Sequence, residues 1–163
     1  IGRTEIPDHA ATLKQLAGRR PSMDLSRVGV VGFSYGGYFA IRALLLAPDV
    51  YHVGVAYSPI TDMPEHWGLQ VFLGPPQSNR EAWEYASNLR LAGNLKGELL
   101  LVHGTGDDIV PFSHTMKMVE ALIRADKPYD LIVLPEQGFV LSGTSERYWQ
   151  DSVRRYFQEH LKP

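Results

Sequence analysis

The spacing of apolar positions changes period repeatedly along the chain, and each change predicts an element. Ala10, Leu13, Leu16 and Ala17 recur at helical intervals, with Pro7 and Asp8 as start signals and Gly18 as a stop, so a short first helix is expected there. Arg27 to Phe33 (RVGVVGF) is a nearly continuous apolar run rich in valine, the pattern of a strand buried on both faces of a parallel sheet. Gly36 to Ala47 (GGYFAIRALLLA) is apolar almost all round, as a helix packed deep against such a sheet is, and Pro48 closes it. Val53 to Tyr57 predicts a second buried strand.

The alternation then breaks. Ser58 to Pro76 carries six prolines and glycines around Met63, Trp67 and Phe72, and predicts a partly helical excursion over one end of the sheet. Beyond it, Arg80 to Leu91 predicts a helix, Glu98 to His103 (ELLLVH) a third strand, Ser113 to Ala125 a helix capped by Ser113, and Tyr129 to Leu134 a fourth strand. A last amphipathic helix from about Ser145 to Leu161 has an inner face of Trp149, Val153, Tyr156, Phe157 and Leu161. Strands alternating with helices imply an α/β domain with a mostly parallel sheet.

Composition narrows the classes. With 163 residues, 44% hydrophobic and 21% charged, the chain fits one ordinary globular domain spanning residues 1–163. A net charge of −2 without a basic cluster argues against a nucleic-acid partner. Zero cysteines exclude disulfides, thiolate zinc sites and a cysteine nucleophile, while leaving the compartment open. No apolar run long enough to span a membrane and no signal-peptide pattern is seen, so a soluble protein is expected. The chain opens at Ile1 close to its first helix, which reads as a piece of something longer.

Candidate chemistry centres on Gly32-Phe33-Ser34-Tyr35-Gly36, a G-x-S-x-G string placed where a buried strand turns into an apolar helix. Such a turn exposes a serine oxygen above the sheet and demands small neighbours. A serine hydroxyl needs a base, usually a histidine held by a carboxylate. The third strand leads into His103-Gly104-Thr105-Gly106-Asp107-Asp108, a glycine-rich turn with two acids at a strand's carboxyl end. Open α/β sheets place functional groups at such ends. The sequence shows no metal-ligand spacing, and no cofactor is implied.

The strings RVGVVGFSYGGYFA, HGTGDDIVPF and FLGPP together resemble the peptidase domain of the prolyl oligopeptidase family, especially its dipeptidyl peptidase IV branch. This resemblance runs from the first helix to the last and implies a partial α/β-hydrolase fold with helices on both sheet faces. It implies Ser34 as nucleophile, the second acid Asp108 as triad carboxylate, and the Tyr35 backbone N–H as one oxyanion donor. It also implies an apolar specificity pocket of Tyr35, Ile60, Met63, Phe72 and Val110, with a peptide or small ester as substrate. The family's triad histidine falls on Phe139, which cannot accept a proton. Losing a triad base costs about a million-fold in turnover, so the chain is expected to be strongly impaired. Ile109 stands where dipeptidyl peptidases carry an asparagine, which favours an endopeptidase, an acylaminoacyl peptidase or a carboxylesterase over an N-terminal dipeptide cutter.

The other histidines offer no replacement base. His103 belongs to the strand motif and reads as structural, His114 as a capping or solvent-facing residue, and His66 alone falls in the excursion near a pocket. The family's upstream strands, second oxyanion donor and β-propeller precede the matched region. Missing upstream chain, or a second copy, is therefore expected at the exposed edge of the Arg27–Phe33 strand. Two readings remain: a serine hydrolase disabled at its base, or a non-catalytic binding domain on the same fold. A nucleotide-binding domain fails because no G-x-G-x-x-G or Walker string follows a strand.

Overall fold

In a computed structural model, residues 1–63 and 67–162 are described. Four parallel strands, β1 (Gly29–Phe33), β2 (Val53–Tyr57), β3 (Glu98–Gly104) and β4 (Asp130–Leu134), form one sheet in the order β1-β2-β3-β4. Helices α1 (Glu5–Arg19), α2 (Tyr35–Leu46), α3 (Gln70–Leu73), α4 (Arg80–Ala86), α5 (Ser113–Arg124) and α6 (Gly143–His160) surround it. Alternate residues of β3 feed opposite layers. Leu99 and Leu101 enter the cluster built by α1, α2 and α5, whereas Leu100 and Val102 enter the one closed by Tyr156 of α6. Trp149, Val153, Phe157 and Leu161 pack against that second cluster, as the sequence pattern predicts. The chain is therefore α/β with helices on both faces of a parallel sheet.

Several boundaries differ, each for a local reason. The first helix starts at Glu5, upstream of Pro7, because an N–H is not needed in a helix's first turn and proline is tolerated there; Gly18 lies inside it. Ser113 is the first residue of α5 rather than its cap, since the chain is already helical at Phe112, φ −53° and ψ −25°. Rather than being buried on both faces, β1 is the outer strand, with Val31 50% and Phe33 41% exposed. The excursion after β2 holds a 3₁₀ turn at Trp67–Leu69 and α3, and His66 lies outside the described residues.

The predicted Arg80–Leu91 helix stops at Ala86, and a 3₁₀ segment, Leu89–Asn94, follows. Arg42, an α2 residue only 1% exposed, meets this helix end. Its guanidinium donates to the carbonyls of Tyr85 (2.8 Å), Ala86 (3.2 Å) and Gly2 (2.9 Å) and to Asn88 Oδ1 (3.1 Å). The orphan carbonyls at the end of α4 are thus satisfied. Asn88 Nδ2 in turn donates to the Tyr38 carbonyl at 3.0 Å, tying this joint to α2 behind Ser34. Arg42→Met leaves these buried acceptors unpaired, so the urea midpoint falls by the equivalent of about 3 kcal/mol. An unchanged midpoint contradicts this role for Arg42.

Candidate active site

The carboxyl ends of all four strands lie on one side of the sheet, and their loops are bonded to each other. Phe33 and Tyr57 pair across β1 and β2, and the Ser34 N–H donates to the Tyr57 carbonyl at 3.0 Å. Ser34 then adopts φ 56° and ψ −116°. A non-glycine residue with this backbone is strained, and such strain is held where surrounding packing enforces it. The enforcement is local. A Cβ at Gly32 would collide with the Gly36 carbonyl, so the strand-to-helix turn closes backbone on backbone and forces the serine outward. Ser34 is half-buried and caps α2, whose first residue is Tyr35, so the Tyr35 N–H belongs to the positive end of the helix.

The two acids of the third loop are not equivalent. Asp107 is 7% exposed; its Oδ1 accepts the N–H groups of Ile109 (3.0 Å) and Val110 (2.8 Å), and its Oδ2 accepts the Ser58 hydroxyl. Asp108 is exposed to solvent. A triad carboxylate must be buried and held in orientation to fix its imidazole, and Asp107 meets that need where Asp108 does not. Asp108, the acid expected from the sequence, is thus the exposed member of the pair, and a doublet in sequence does not reveal which side faces inward.

His103 lies behind Asp107 and is fully buried. Burial lowers its pKa, so the ring is neutral: Nε2–H donates to the Val110 carbonyl at 2.8 Å, and Nδ1 accepts the Thr115 hydroxyl at 2.7 Å. The 3.4 Å approach of His103 to Asp107 is therefore a contact of a neutral ring with a carboxylate, not an ion pair. The structural reading of His103 holds. His114 differs from its expected exposed role, being 1% exposed, with Nδ1 accepting the N–H groups of Thr61 and Asp62 at 3.2 Å each. Its position after Pro111, where the turn rolls into α5, directs it inward. Sequence reasoning missed Ser58 and Thr115. A serine at the end of a buried strand, followed by Pro59, is the signal that could have marked the first.

Phe139 sits on the fourth loop, which is bonded to the acid loop through Gly106 N–H to the Gln137 carbonyl (3.0 Å) and Glu136 N–H to Thr105 Oγ1 (2.9 Å). Its ring lies 4.4 Å from that of Phe33, the residue before Ser34. The Tyr57 hydroxyl, 3.0 Å from both, donates to the Gly138 and Phe139 carbonyls and fixes this loop. Burial, helped by the Asp107 charge, pushes the Tyr57 pKa up to about 12 and keeps that donor protonated.

Of the expected pocket residues, Ile60 (3%), Met63 (0%) and Val110 (0%) are sealed in one cluster with Tyr38, Leu69, Leu73, Trp83 and Ala86, and Phe139 packs against it. Among the described residues these side chains meet one another. Tyr35 (38%) and Phe72 (72%) are exposed, and Phe72 stands outside the cluster, on the outer side of α3 opposite buried Leu73. Among the described residues no group of three or more His, Cys, Asp or Glu could hold a metal, and no helix is long and apolar enough to cross a membrane.

Two tests follow from this geometry. Asp107→Asn lowers stability by about 1–3 kcal/mol by weakening a buried acceptor, whereas Asp108→Asn stays within about 0.5 kcal/mol of the parent in urea titration; equal effects contradict the assignment. For His103, a native pKa below the ordinary 6.5 means the unfolded chain takes up a proton that the folded protein refuses. Stability is therefore unaffected by this group above pH 6.5 and falls as pH drops below it. His103→Gln flattens that part of the stability–pH curve, and an unchanged slope shows the ring is not held neutral.

The sequence profile of the prolyl oligopeptidase family matches residues 1–163. Human dipeptidyl peptidase 8 is 34% identical over 99% of this chain and 19% of its own length, and mouse inactive dipeptidyl peptidase 10 is 32% identical over 99% and 21%. The crystal structure of Porphyromonas gingivalis dipeptidyl peptidase 4 superposes with a TM-score of 0.89 at 28% identity, covering 99% of this chain and 23% of that one. The chain thus spans about a fifth of the length of these relatives. It belongs to the prolyl oligopeptidase family of serine peptidases.

Proposed function

We propose that the carboxyl-end loops form an acyl-transfer site of the serine peptidase type, with Ser34 as nucleophile, Asp107 as the acid and Phe139 in the place of the base. The observation that carries this reading is the strained Ser34 turn with Phe139 against its neighbour Phe33. Backbone strain clusters at functional sites, where surrounding structure enforces it. In the reaction, Ser34 Oγ attacks the carbonyl carbon of a peptide or small ester, and the oxyanion is met by the Tyr35 N–H at the start of α2. The Oγ proton needs an acceptor as the bond forms. Phenylalanine provides none, so Ser34 remains a neutral hydroxyl and turnover falls by about six orders of magnitude relative to a complete triad.

A second oxyanion donor comes, in this fold, from a loop upstream of the nucleophile turn. The relatives' greater length and the open edge of β1 support a seat there for further chain of the same protein. Tyr35 and Phe72, exposed beside the sealed Ile60, Met63 and Val110 cluster, would form the apolar wall met by a substrate side chain. The second reading, a binding domain without turnover, is favoured by Phe139 alone; it shares this site and differs only in the fate of the bound peptide. That one similar protein is named as inactive is consistent with it.

Phe139→His, in a protein extended upstream to supply the second donor, restores hydrolysis of an activated ester and labelling by a fluorophosphonate, and Ser34→Ala abolishes both. In the 163-residue chain the gain is smaller by about 10²–10³, the effect of one missing oxyanion donor. Rapid hydrolysis by the Phe139 protein, insensitive to Ser34→Ala, contradicts the mechanism.

A further inference from the structure

Two serines hold a positive φ at neighbouring strand ends: Ser34 after β1 and, at φ 45°, Ser58 after β2. The second is out of reach of any substrate. Ser58 is fully buried, and its N–H donates to the Val102 carbonyl of β3 at 2.9 Å, which fixes it against the strand that leads into the acid loop. Glycine adopts a positive φ freely, whereas a serine held there is strained. What the serine adds is a hydroxyl, and its single proton goes to Asp107 Oδ2. His103 Nε2 stays 3.4 Å from both the Ser58 oxygen and that carboxylate oxygen, its own proton being committed to the Val110 carbonyl at 2.8 Å.

We propose that Ser58 is the positioning residue of the acid: its hydroxyl fixes the orientation of the Asp107 carboxylate at the oxygen that the loop backbone leaves free. The two backbone donors, the N–H groups of Ile109 and Val110, both fall on Oδ1. They hold one oxygen and leave the second to swing about the Cβ–Cγ bond. A hydroxyl donor on Oδ2 limits that swing, and a bond to a charged acceptor is stronger than one between neutral groups. Orientation matters here because a triad acid works by holding an imidazole in place, and a misplacement of about 1 Å can cost about a hundredfold in rate. Phe139 has no N–H to give, so in this chain the hold on Oδ2 comes from the serine. The use made of the oriented acid rests on the acyl-transfer reading above, whereas the hold of Ser58 on Asp107 does not.

Proton NMR of the 163-residue chain tests the hold itself. The Ser58 hydroxyl proton, buried and bonded to a carboxylate, gives a slowly exchanging downfield resonance that is absent from Ser58→Ala and moves upfield in Asp107→Asn. Turnover of an activated ester by the upstream-extended Phe139→His protein tests the consequence. There Ser58→Ala lowers kcat about tenfold or more and leaves KM unchanged, the size expected on losing one hydrogen bond to a charged group. Ser58→Gly, which removes the hydroxyl and relieves the backbone, loses as much. In an Asp107→Asn background neither change lowers kcat further, because Ser58 acts through the acid. A hydroxyl resonance that Asp107→Asn does not move overturns the proposal, as does a Ser58→Gly protein with the parent's kcat or a loss that persists in full in the Asp107→Asn background. If Phe139→His gives no turnover with Ser58 in place, the acyl-transfer reading fails, and the hydroxyl resonance alone decides whether Ser58 orients Asp107.

Discussion

The arrangement of this molecule depends on a backbone contact at Gly32. With no Cβ there, β1 can turn directly against the Gly36 carbonyl, and that closeness forces Ser34 to φ 56°. Everything functional hangs on the turn so made. The helix that follows places the Tyr35 N–H beside the serine, and the strand that precedes it aligns Phe33 with Tyr57 and hence with the fourth loop. The strain is tolerable because α2 is anchored from behind, where Arg42 ties it to α4 and to the chain before α1.

A second constraint acts on the acid loop. Gly104 carries no Cβ because one would strike the Gln137 carbonyl, so the third and fourth loops lie in direct contact. That contact brings the loops of Asp107 and Phe139 together, as the bonded pair Thr105 and Glu136, 31 positions apart along the chain, shows. The Ser58 hydroxyl and the N–H groups of Ile109 and Val110 give Asp107 its partners, beside a neutral His103 that Thr115 holds, which lets a carboxylate sit at 7% exposure. Asp107 and Ser34 are thus held by separate networks, and the Phe139 ring packs on Phe33 beside the serine turn.

Much of this was legible in the sequence because it rests on period and on punctuation. The valine-rich run, the all-apolar α2 and the fourfold alternation of strand and helix specify the sheet, and β2 spans Val53–Tyr57 as its pattern predicts. The motif around Ser34 was legible for the same reason, since a turn between strand and helix with glycines on both sides has few other uses. What the sequence hid depends on direction. Asp107 and Asp108 are identical in type, and only the turn geometry decides which one faces inward. Arg42 reads as a polar interruption of an apolar helix, yet it is buried against the end of α4, which stops five residues before Leu91. The sealed state of Ile60, Met63 and Val110 likewise follows from the packing of α3, α4 and the excursion, which no local pattern encodes.

The central claim is spatial: position 139 lies where an imidazole would join Ser34 to Asp107. A crystal structure of the Phe139→His variant measures it directly. The account predicts one ring nitrogen within hydrogen-bond reach, about 2.6–3.2 Å, of the Asp107 carboxylate and the other turned toward Ser34 Oγ. An imidazole that instead bonds Asp108, or that points away from Ser34 into solvent, contradicts it.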